Sequence, residues 1–251
     1  MSPLDPFLHA PIAHRCLHDI RVGRPENSWE ALEAAVAAGL PVEIDLQLSA
    51  DGQAIVFHDA HMDRLTARTG RVADYAASDL QKIPLKGGQK TIPLLSDFMA
   101  HVAGRIPVLI EIKDQDGALG DAESGIEAAT IAALDRYQGT VALMSFNPHI
   151  IARCAGLAPE IARGLVTDPF TETDWPDVPS DRRKELAGIP DYDAVGASFI
   201  SHNAGDLTSD AVGKVKAKGG KIFCWTVRSQ AQEDTVRKIA DNITFEGYSP
   251  A

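Results

Sequence analysis

The chain has 251 residues and is 45% hydrophobic, which is enough to bury the core of one α/β barrel, so we predict a single domain over residues 1–251. It carries 24 Lys and Arg residues against 35 Asp and Glu residues, which gives a formal net charge of −11 at pH 7. This charge repels polyanions and anionic membranes, and it argues against nucleic acid or a membrane surface as a stable partner.

The cysteines and the N-terminus predict a cytoplasmic protein. Cys16, Cys154 and Cys224 are odd in number and lack metal-ligand spacing, so we expect no disulfide framework. Met1–Pro11 lacks the basic start and apolar centre of a signal peptide. No apolar run in the sequence approaches the ~18 residues of a membrane span.

Short β-type runs alternate with helical patterns along the whole chain. The first strand is predicted at Ile12–His14. Asn27 and Glu30 then predict a capped helix start, and apolar residues recur on one helical face up to Leu40. The other barrel strands are predicted at Val42–Leu48, Val108–Lys113, Val141–Phe146, Ile161–Val166, Val195–Ile200, Lys221–Val227 and Ile243–Glu246. Further helices are predicted at about 94–103, 121–136, 148–156, 181–187, 208–218 and 231–239.

This alternation favours a TIM (β/α)₈ barrel. An open doubly wound sheet is the alternative, but it would carry a glycine-rich phosphate turn where this chain has His14-Arg15-Cys16. No helix is predicted after the last strand. We therefore expect either Met1–Pro11 or a second subunit of a homo-oligomer to cover the apolar surface beside that strand.

Two stretches interrupt the barrel pattern. Ala54–His58 reads as the return arm of a hairpin that turns at residues 50–52, and the polar stretch 59–91 reads as a short insertion above the barrel mouth. Residues 168–193 hold four prolines and follow a strand, so this stretch is either a lid or a surface loop.

Acidic side chains are predicted inside the barrel mouth. Successive strand residues face opposite sides, so Glu43 and Asp45 point inward when Ile44 faces the helices, and Glu111 does the same on its own strand. Three converging carboxylates provide an oxygen-rich site for one divalent cation, Mg²⁺ or Ca²⁺. The alternative is an ion-pair network with Lys113 and Arg15 that fills the barrel without metal.

Two histidines and two cations complete the predicted site. His14 and His58 close neighbouring strands, and two histidines can hold the opposite protonation states that phosphodiester hydrolysis needs. Arg15 offers a planar fork for phosphate oxygens, and Lys113 offers a point charge. Trp225 ends a strand at the same face, where it either packs against the alcohol part of a substrate or belongs to the core.

These residues fall into motifs that resemble the glycerophosphodiester phosphodiesterase family, whose members show His-Arg-Gly, Pro-Glu-Asn-Thr, Glu-x-Asp, His-Asp and Glu-x-Lys in this order. The corresponding pieces here are His14-Arg15-Cys16, Pro25-Glu26-Asn27-Ser28, Glu43-Ile44-Asp45, His58-Asp59 and Glu111-Ile112-Lys113. Five motifs in one order are a specific signal, although each alone is weak.

The resemblance implies a TIM barrel in which His14 and His58 act as general acid and base. It implies one divalent cation on Glu43, Asp45 and Glu111. It also implies phosphate contacts from Arg15 and Lys113, and a place for Glu26 and Asn27 beside the active site. The residues that carry these implications are all present in the chain.

Three departures from the family pattern concern the substrate. Cys16 replaces a glycine and is expected to crowd the backbone approach to the phosphate. Residues 243–247 replace a Thr-Asp-x-Pro ending, which changes the expected substrate wall. The insertion 59–91 lacks the aromatic residues that often shape the alcohol pocket in the family.

We therefore predict a metal-dependent phosphodiesterase that converts a small-molecule glycerophosphodiester to glycerol 3-phosphate and an alcohol. The alternatives are a lysophospholipase D, a phospholipase C-like diesterase on a related barrel, or a barrel that binds phosphodiesters without turnover. No Ser, Cys or Thr in these motifs is paired with a base, so we expect the substrate's own neighbouring hydroxyl to attack phosphorus and form a cyclic phosphate. Direct attack by water is the rival route.

Overall fold

The computed structural model describes residues 2–250, which form a barrel of parallel strands surrounded by helices. The strands are β1 (Ile12–Ala13), β2 (Val42–Leu48), β3 (Ala54–Val56), β4 (Val108–Ile112), β5 (Val141–Ser145), β6 (Ala162–Thr167), β7 (Phe199–Asn203), β8 (Lys221–Val227) and β9 (Asn242–Phe245). The helices are α1 (Trp29–Ala38), α2 (Ala77–Leu80), α3 (Leu95–Val102), α4 (Ile126–Ala133), α5 (Pro148–Leu157), α6 (Ser180–Ala187), α7 (Asp210–Ala217) and α8 (Gln230–Val236). Within residues 2–250, no helix is both long and apolar enough to cross a bilayer.

The barrel closes because β1 pairs in parallel with both β2 and β9. The strands in between pair in parallel in the order β9, β8, β7, β6, β5, β4 and β2, so the predicted TIM barrel is confirmed. The predicted hairpin arm is present as β3, which pairs antiparallel to the end of β2 outside the barrel.

The last part of the barrel differs from the predicted element boundaries. The sixth barrel strand, β7, is Phe199–Asn203, whereas Val195–Ile200 was expected. The cause is a turn, since the Val195 amide donates to the Asp191 carbonyl and the Gly196 amide donates to the Asp193 carbonyl. Helix α4 is also shorter than the expected 121–136, because it begins only after Gly125, whose φ is +85°.

Side-chain alternation along the strands separates two apolar layers. Val42, Ile44 and Leu46 pack against the helices in the outer layer. The inner layer fills the lower barrel and comprises Leu4, Phe7, Ile12, Leu109, Ala142, Met144, Val166, Phe199 and Phe223. Polar inward-facing residues follow this layer toward the strands' carboxyl ends, which is where TIM barrels hold their sites.

The N-terminal segment closes the lower end of the barrel. Leu4 and Phe7 belong to the inner layer, and the Asn242 side chain of β9 donates to the carbonyls of Phe7 and Ala10. The segment thus contacts the last strand through the barrel interior, whereas it was expected to cover the apolar surface beside that strand. Met1 lies outside the described residues, and the homo-oligomer remains a prediction.

The insertion after β3 has its own apolar cluster beside the barrel. Met62, Val72, Leu80 and Ile92 pack with Phe57, and the short helix α2, which the sequence analysis did not anticipate, supplies part of this cluster. The insertion therefore has a fixed place next to the mouth.

Candidate active site

A pocket of about 130 Å³ lies at the carboxyl ends of the barrel strands. One wall is polar and is lined by His14, Arg15, Glu43, His58, Glu111 and Lys113. The opposite wall is more apolar and is lined by Met144, Phe146, Val166 and Trp225. The structure thus brings most of the predicted site residues to one cavity.

Three carboxylates meet at the polar wall, where Glu43 and Glu111 line the pocket and Asp45 does not. Asp45 and Glu111 are directly opposite each other in the pairing of β2 with β4, and Glu43 precedes Asp45 on the same face of β2. Glu43, Asp45 and Glu111 each offer a carboxylate oxygen, and these oxygens all lie within 4.8 Å of one another. All three residues are buried. This arrangement matches the predicted set of metal ligands.

Part of the alternative ion-pair network is also present. The Lys113 ammonium lies 2.7 Å from Asp45 Oδ1 and 2.5 Å from Glu111 Oε1. Burial would raise the pKa of Asp45, but the charges of Lys113, His58 and Arg15 lower it well below the ordinary value. Burial likewise opposes the charge of Lys113, yet Asp45 and Glu111 raise its pKa. Asp45 is therefore ionised and Lys113 protonated at neutral pH.

Glu43 lies outside that network. Its Oε2 accepts a hydrogen bond of 2.9 Å from the Arg15 backbone amide, while its buried Oε1 has no hydrogen-bond partner among residues 2–250. Burial raises the pKa of Glu43 well above its ordinary value, and the charges of Asp45 and Glu111 raise it further. A cation beside Glu43 Oε1 would offset this unfavourable charge.

His14 is held by a carboxylate from the last strand's end. His14 Nδ1 lies 2.5 Å from Glu246 Oε2, and Arg228 donates to the other oxygen of Glu246 over 2.7 Å. Burial lowers the pKa of His14 to about 4 despite the opposing hydrogen bond with Glu246. That hydrogen bond, followed by the charges of His14 and Arg228, lowers the pKa of Glu246 to about 2. At neutral pH His14 is thus neutral, with its Nδ1 proton directed at the carboxylate.

His58 has a similar partner. Its Nδ1 lies 2.6 Å from Asp59 Oδ1, and Arg64 binds the same carboxylate through two nitrogens at 2.7 and 2.8 Å. Burial would raise the pKa of Asp59, but hydrogen bonds from His58 and Arg64 lower it. Both pocket histidines are therefore oriented through Nδ1 by an ionised carboxylate, which leaves Nε2 for chemistry.

The segment after β1 adopts a strained backbone around the site. Arg15, Cys16 and Asn27 all have positive φ, of 50°, 67° and 53°. The side chain of Cys16 is buried in the outer apolar layer and does not line the pocket, so the expected crowding of the phosphate approach is wrong. The positive φ itself accounts for the glycine at this position in the family pattern.

Glu26 is placed behind the pocket wall. It accepts from Arg15 over 2.8 Å and from Arg64 over 2.7 and 2.8 Å, and it does not line the pocket. Asn27 donates to Asp45 Oδ2 over 2.8 Å. The Pro-Glu-Asn-Ser motif therefore positions Arg15 and Asp45, besides ending at Ser28, whose hydroxyl caps α1.

Aromatic side chains form the opposite wall of the pocket. Trp225 lies edge to face against Phe146 with ring centres 5.5 Å apart, and Trp175 and Phe170 pack behind Phe146 at 4.8 and 6.1 Å. None of the insertion residues 59–91 lines the pocket, although His58, which directly precedes them, does. The stretch 168–193 thus supplies the aromatic support that the insertion lacks.

Several site residues were not found by sequence reasoning. Glu246 and Asp59 hold the two histidines, and Arg64 joins Glu26 to Asp59. The role of Asp59 could have been predicted from its position directly after His58. Glu246 was not, because its contact with His14 spans the closure of the barrel between β9 and β1.

Comparisons with known proteins agree with this geometry. The family model described as the glycerophosphoryl diester phosphodiesterase family matches residues 14–241. A glycerophosphodiester phosphodiesterase of Caldanaerobacter subterraneus subsp. tengcongensis is 27% identical over 229 residues, which cover 87% of each chain. An uncharacterised Bacillus subtilis protein is 31% identical over 152 residues, which cover 57% of this chain and 61% of that protein, so the match spans less than two thirds of that relative.

A solved structure with the same fold is that of an Oleispira antarctica phosphodiesterase in complex with the product sn-glycerol-3-phosphate. It has a TM-score of 0.77 and 23% sequence identity to this chain, and the match covers 95% of this chain and 93% of that one. At this identity the likeness concerns the fold.

Proposed function

The chain belongs to the glycerophosphoryl diester phosphodiesterase family, and from this premise we propose that it cleaves glycerophosphodiesters to glycerol 3-phosphate and an alcohol, with His14 and His58 moving the protons. Membership makes the protein a phosphoric diester hydrolase. The single observation that carries the proposed mechanism is the pair of carboxylate-oriented histidines in one pocket, beside a cluster of three buried carboxylates of which Glu43 and Glu111 line that pocket.

His14 is the group that takes the first proton. Burial keeps its ring neutral at pH 7, and the Nδ1 proton is directed at Glu246, so Nε2 carries the lone pair. The attacking group is the substrate's own hydroxyl next to the phosphate. When Nε2 accepts its proton, the Glu246 carboxylate stabilises the resulting imidazolium. This arrangement makes His14 the general base of the first step.

His58 is the group that gives a proton to the leaving alcohol. Its ring lines the same pocket and is oriented by Asp59, which Arg64 holds in place. A departing alkoxide needs a proton as the phosphorus–oxygen bond breaks, and a positioned histidine supplies it. In the second step water opens the cyclic phosphate that the first step formed. The two histidines then exchange roles, so that His58 acts as the base and His14 as the acid.

Arg15 and Lys113 bind the phosphate. Both line the pocket, and each is anchored by carboxylates, Arg15 by Glu26 and Lys113 by Asp45 and Glu111. Anchoring reduces the entropy that each long side chain loses on binding, so the charges are already in place when phosphoryl charge builds up. These local cations allow an acidic protein to hold an anionic substrate.

Glu43, Asp45 and Glu111 fit one divalent cation of the Mg²⁺ or Ca²⁺ type. The fit is supported by the buried Glu43 Oε1, which has no hydrogen-bond partner within residues 2–250, and by the short distances among the three sets of oxygens. When bound, such a cation stabilises negative charge on phosphate oxygens. The chain's own contribution is to hold the three carboxylates within reach of one ion through the registers of β2 and β4.

The size of the pocket supports a small substrate. A cavity of about 130 Å³ is well below the several hundred Å³ of a pocket that encloses a drug-sized ligand. It suits a glycerophosphoryl group, with the alcohol extending to the mouth past Phe146 and Trp225. The sn-glycerol-3-phosphate complex of the Oleispira antarctica phosphodiesterase supports the same product.

The test compares phosphate diesters with phosphate monoesters as substrates, using purified protein with chelator and then with Mg²⁺ or Ca²⁺ restored. We expect hydrolysis of glycerophosphocholine, loss of activity with chelator, and recovery with the ion. His14→Ala and His58→Ala should each lower kcat by about 10²–10⁴ in folded protein. Near wild-type turnover in either variant would contradict its proposed role.

A further inference from the structure

Two buried hydroxyl groups in the pocket have no role in the chemistry described so far. Ser201 on β7 and Thr244 on β9 both line the pocket. Their side chains are 0% and 1% exposed, and neither Ser201 Oγ nor Thr244 Oγ1 has a hydrogen-bond partner among residues 2–250. Both hydroxyls therefore have free hydrogen-bonding capacity next to the catalytic groups.

The strand alternation fixes the direction of both side chains. Ser201 follows the inner-layer residue Phe199 by two positions, while Ile200 belongs to the outer layer. Thr244 follows Asn242 by two positions, and Asn242 reaches the N-terminal segment inside the barrel. Because residues two apart share a face, both hydroxyls point into the barrel just above the apolar inner layer.

A buried hydroxyl without a partner is costly, and native structures keep few of them. Four buried polar atoms of this pocket's residues have no hydrogen-bond partner in the described part of the chain, namely Arg15 Nε, Glu43 Oε1, Ser201 Oγ and Thr244 Oγ1. The first two belong to residues that the proposed function assigns to phosphate and cation. The two hydroxyls suit a third kind of ligand group, one that is neither a phosphate nor a cation.

We propose that Ser201 and Thr244 form a subsite that binds hydroxyl groups of the substrate's glycerol moiety; this rests on the proposed function. The subsite carries no charge of its own, and the cations that suit a phosphate, Arg15 and Lys113, belong to the polar wall. A hydroxyl both donates and accepts, as does each hydroxyl of a polyol, so both partners are satisfied on binding. Val166 and Trp225 beside them offer apolar contact to the glycerol carbons.

The subsite makes the enzyme selective for the glycerol end of its substrate. A site that is built to hydrogen-bond a substrate hydroxyl discriminates against an analogue that lacks it, because the buried protein groups are then left unpaired. We therefore expect preference for a glycerol phosphate over an alkyl phosphate of the same length.

The test measures binding by calorimetry, with Mg²⁺ present, of sn-glycerol 3-phosphate and of n-propyl phosphate, which has the same phosphate and carbon chain but no hydroxyl. Wild-type protein should bind the glycerol compound more tightly. Ser201→Ala and Thr244→Val should each weaken its binding about 3- to 10-fold and change n-propyl phosphate binding less than about 2-fold. Thr244→Ser should restore the preference, since it keeps the hydroxyl.

Ser209→Ala is the matched control, because Ser209 also has a buried hydroxyl without a partner among the described residues but does not line the pocket. It should bind both ligands as wild type does. Equal losses for both ligands in the Ser201 and Thr244 variants, or no loss, would overturn the subsite, as would a wild-type protein without preference. Binding is read without turnover, so a protein that shows the preference but cleaves no diester contradicts only the proposed function.

Discussion

Glu246 Oε2 lies 2.5 Å from His14 Nδ1, although the two residues are 232 positions apart in the chain. The contact exists because β9, which ends just before Glu246, pairs with β1, which ends just before His14. Arg228 holds the other carboxylate oxygen, so Glu246 is fixed from two sides. The divergent end of the last strand is thus part of the catalytic arrangement that we propose.

We predict that Glu246→Gln lowers kcat by about 10²–10⁴. The amide of the variant can donate to His14 Nδ1, which leaves the imidazole proton on Nε2, the nitrogen that must be unprotonated to act as the base. It also removes the negative charge that stabilises the imidazolium. The measurement is steady-state hydrolysis of glycerophosphocholine, with KM determined separately. Glu33→Gln, at an exposed glutamate paired with Lys90, should behave as wild type. Unchanged kcat in Glu246→Gln would show that Glu246 does not orient the base.

A second prediction concerns stability against pH. Burial lowers the pKa of folded His14 from 6.5 to about 4, so between these values the unfolded chain binds a proton that the folded protein does not. Stability must therefore fall as the pH is lowered through this window, by up to about 1.4 kcal/mol per pH unit from this residue. Urea unfolding of the wild type and of His14→Asn, with chelator present, measures the difference in slope.

His14→Asn should show a shallower pH dependence than wild type between pH 6.5 and about 4. His149→Asn, at a more exposed histidine, is the control and should keep the wild-type slope. If His14→Asn kept the full slope, the burial of a neutral His14 would not contribute to acid sensitivity.

Much of the polar wall was predictable from sequence, whereas its supports were not. Alternation along β2 is a local property, so the inward direction of Glu43 and Asp45 followed from the Val-Glu-Ile-Asp-Leu pattern. The contact between Glu246 and His14 depends on barrel closure, which no local pattern encodes. Ser201 was missed for another reason, since β7 begins later than the Val195–Ile200 run indicated.

A third prediction concerns the cation. Burial and the neighbouring carboxylates raise the pKa of Glu43, so a divalent cation that binds there must displace a proton which Glu43 retains to a higher pH than an ordinary glutamate does. Calorimetric titration with Mg²⁺ or Ca²⁺ in two buffers of different ionisation enthalpy should therefore detect proton release. The affinity should rise with pH, and Glu43→Gln should lose both the binding and the release.

Glu33→Gln, which changes an exposed carboxylate away from the pocket, should bind the ion as wild type does. Binding that persists in Glu43→Gln with wild-type affinity would place the ion elsewhere. Binding without proton release would contradict the raised pKa of Glu43.

The fourth prediction is that the substrate's own hydroxyl attacks phosphorus. The hydroxyl-bearing residues that line the pocket are Ser201, Thr226 and Thr244, and among residues 2–250 none of these side chains is hydrogen-bonded to a histidine as a protein nucleophile would be. The glycerol 2-hydroxyl lies next to the phosphate, so its attack is intramolecular and has a lower entropic cost. His14 takes its proton, His58 protonates the leaving alcohol, and water then opens the five-membered cyclic phosphate.

Two measurements separate this route from direct attack by water. Phosphorus NMR during turnover of glycerophosphocholine should detect the cyclic phosphate, most clearly in variants that slow the second step. The analogue that lacks the glycerol 2-hydroxyl should bind but be hydrolysed at a much lower kcat. The readout is kcat rather than KM, because loss of this hydroxyl also changes binding to Ser201 and Thr244. An analogue that is bound and hydrolysed as fast as the parent would rule out the cyclic route, since only attack by water can proceed without the neighbouring hydroxyl.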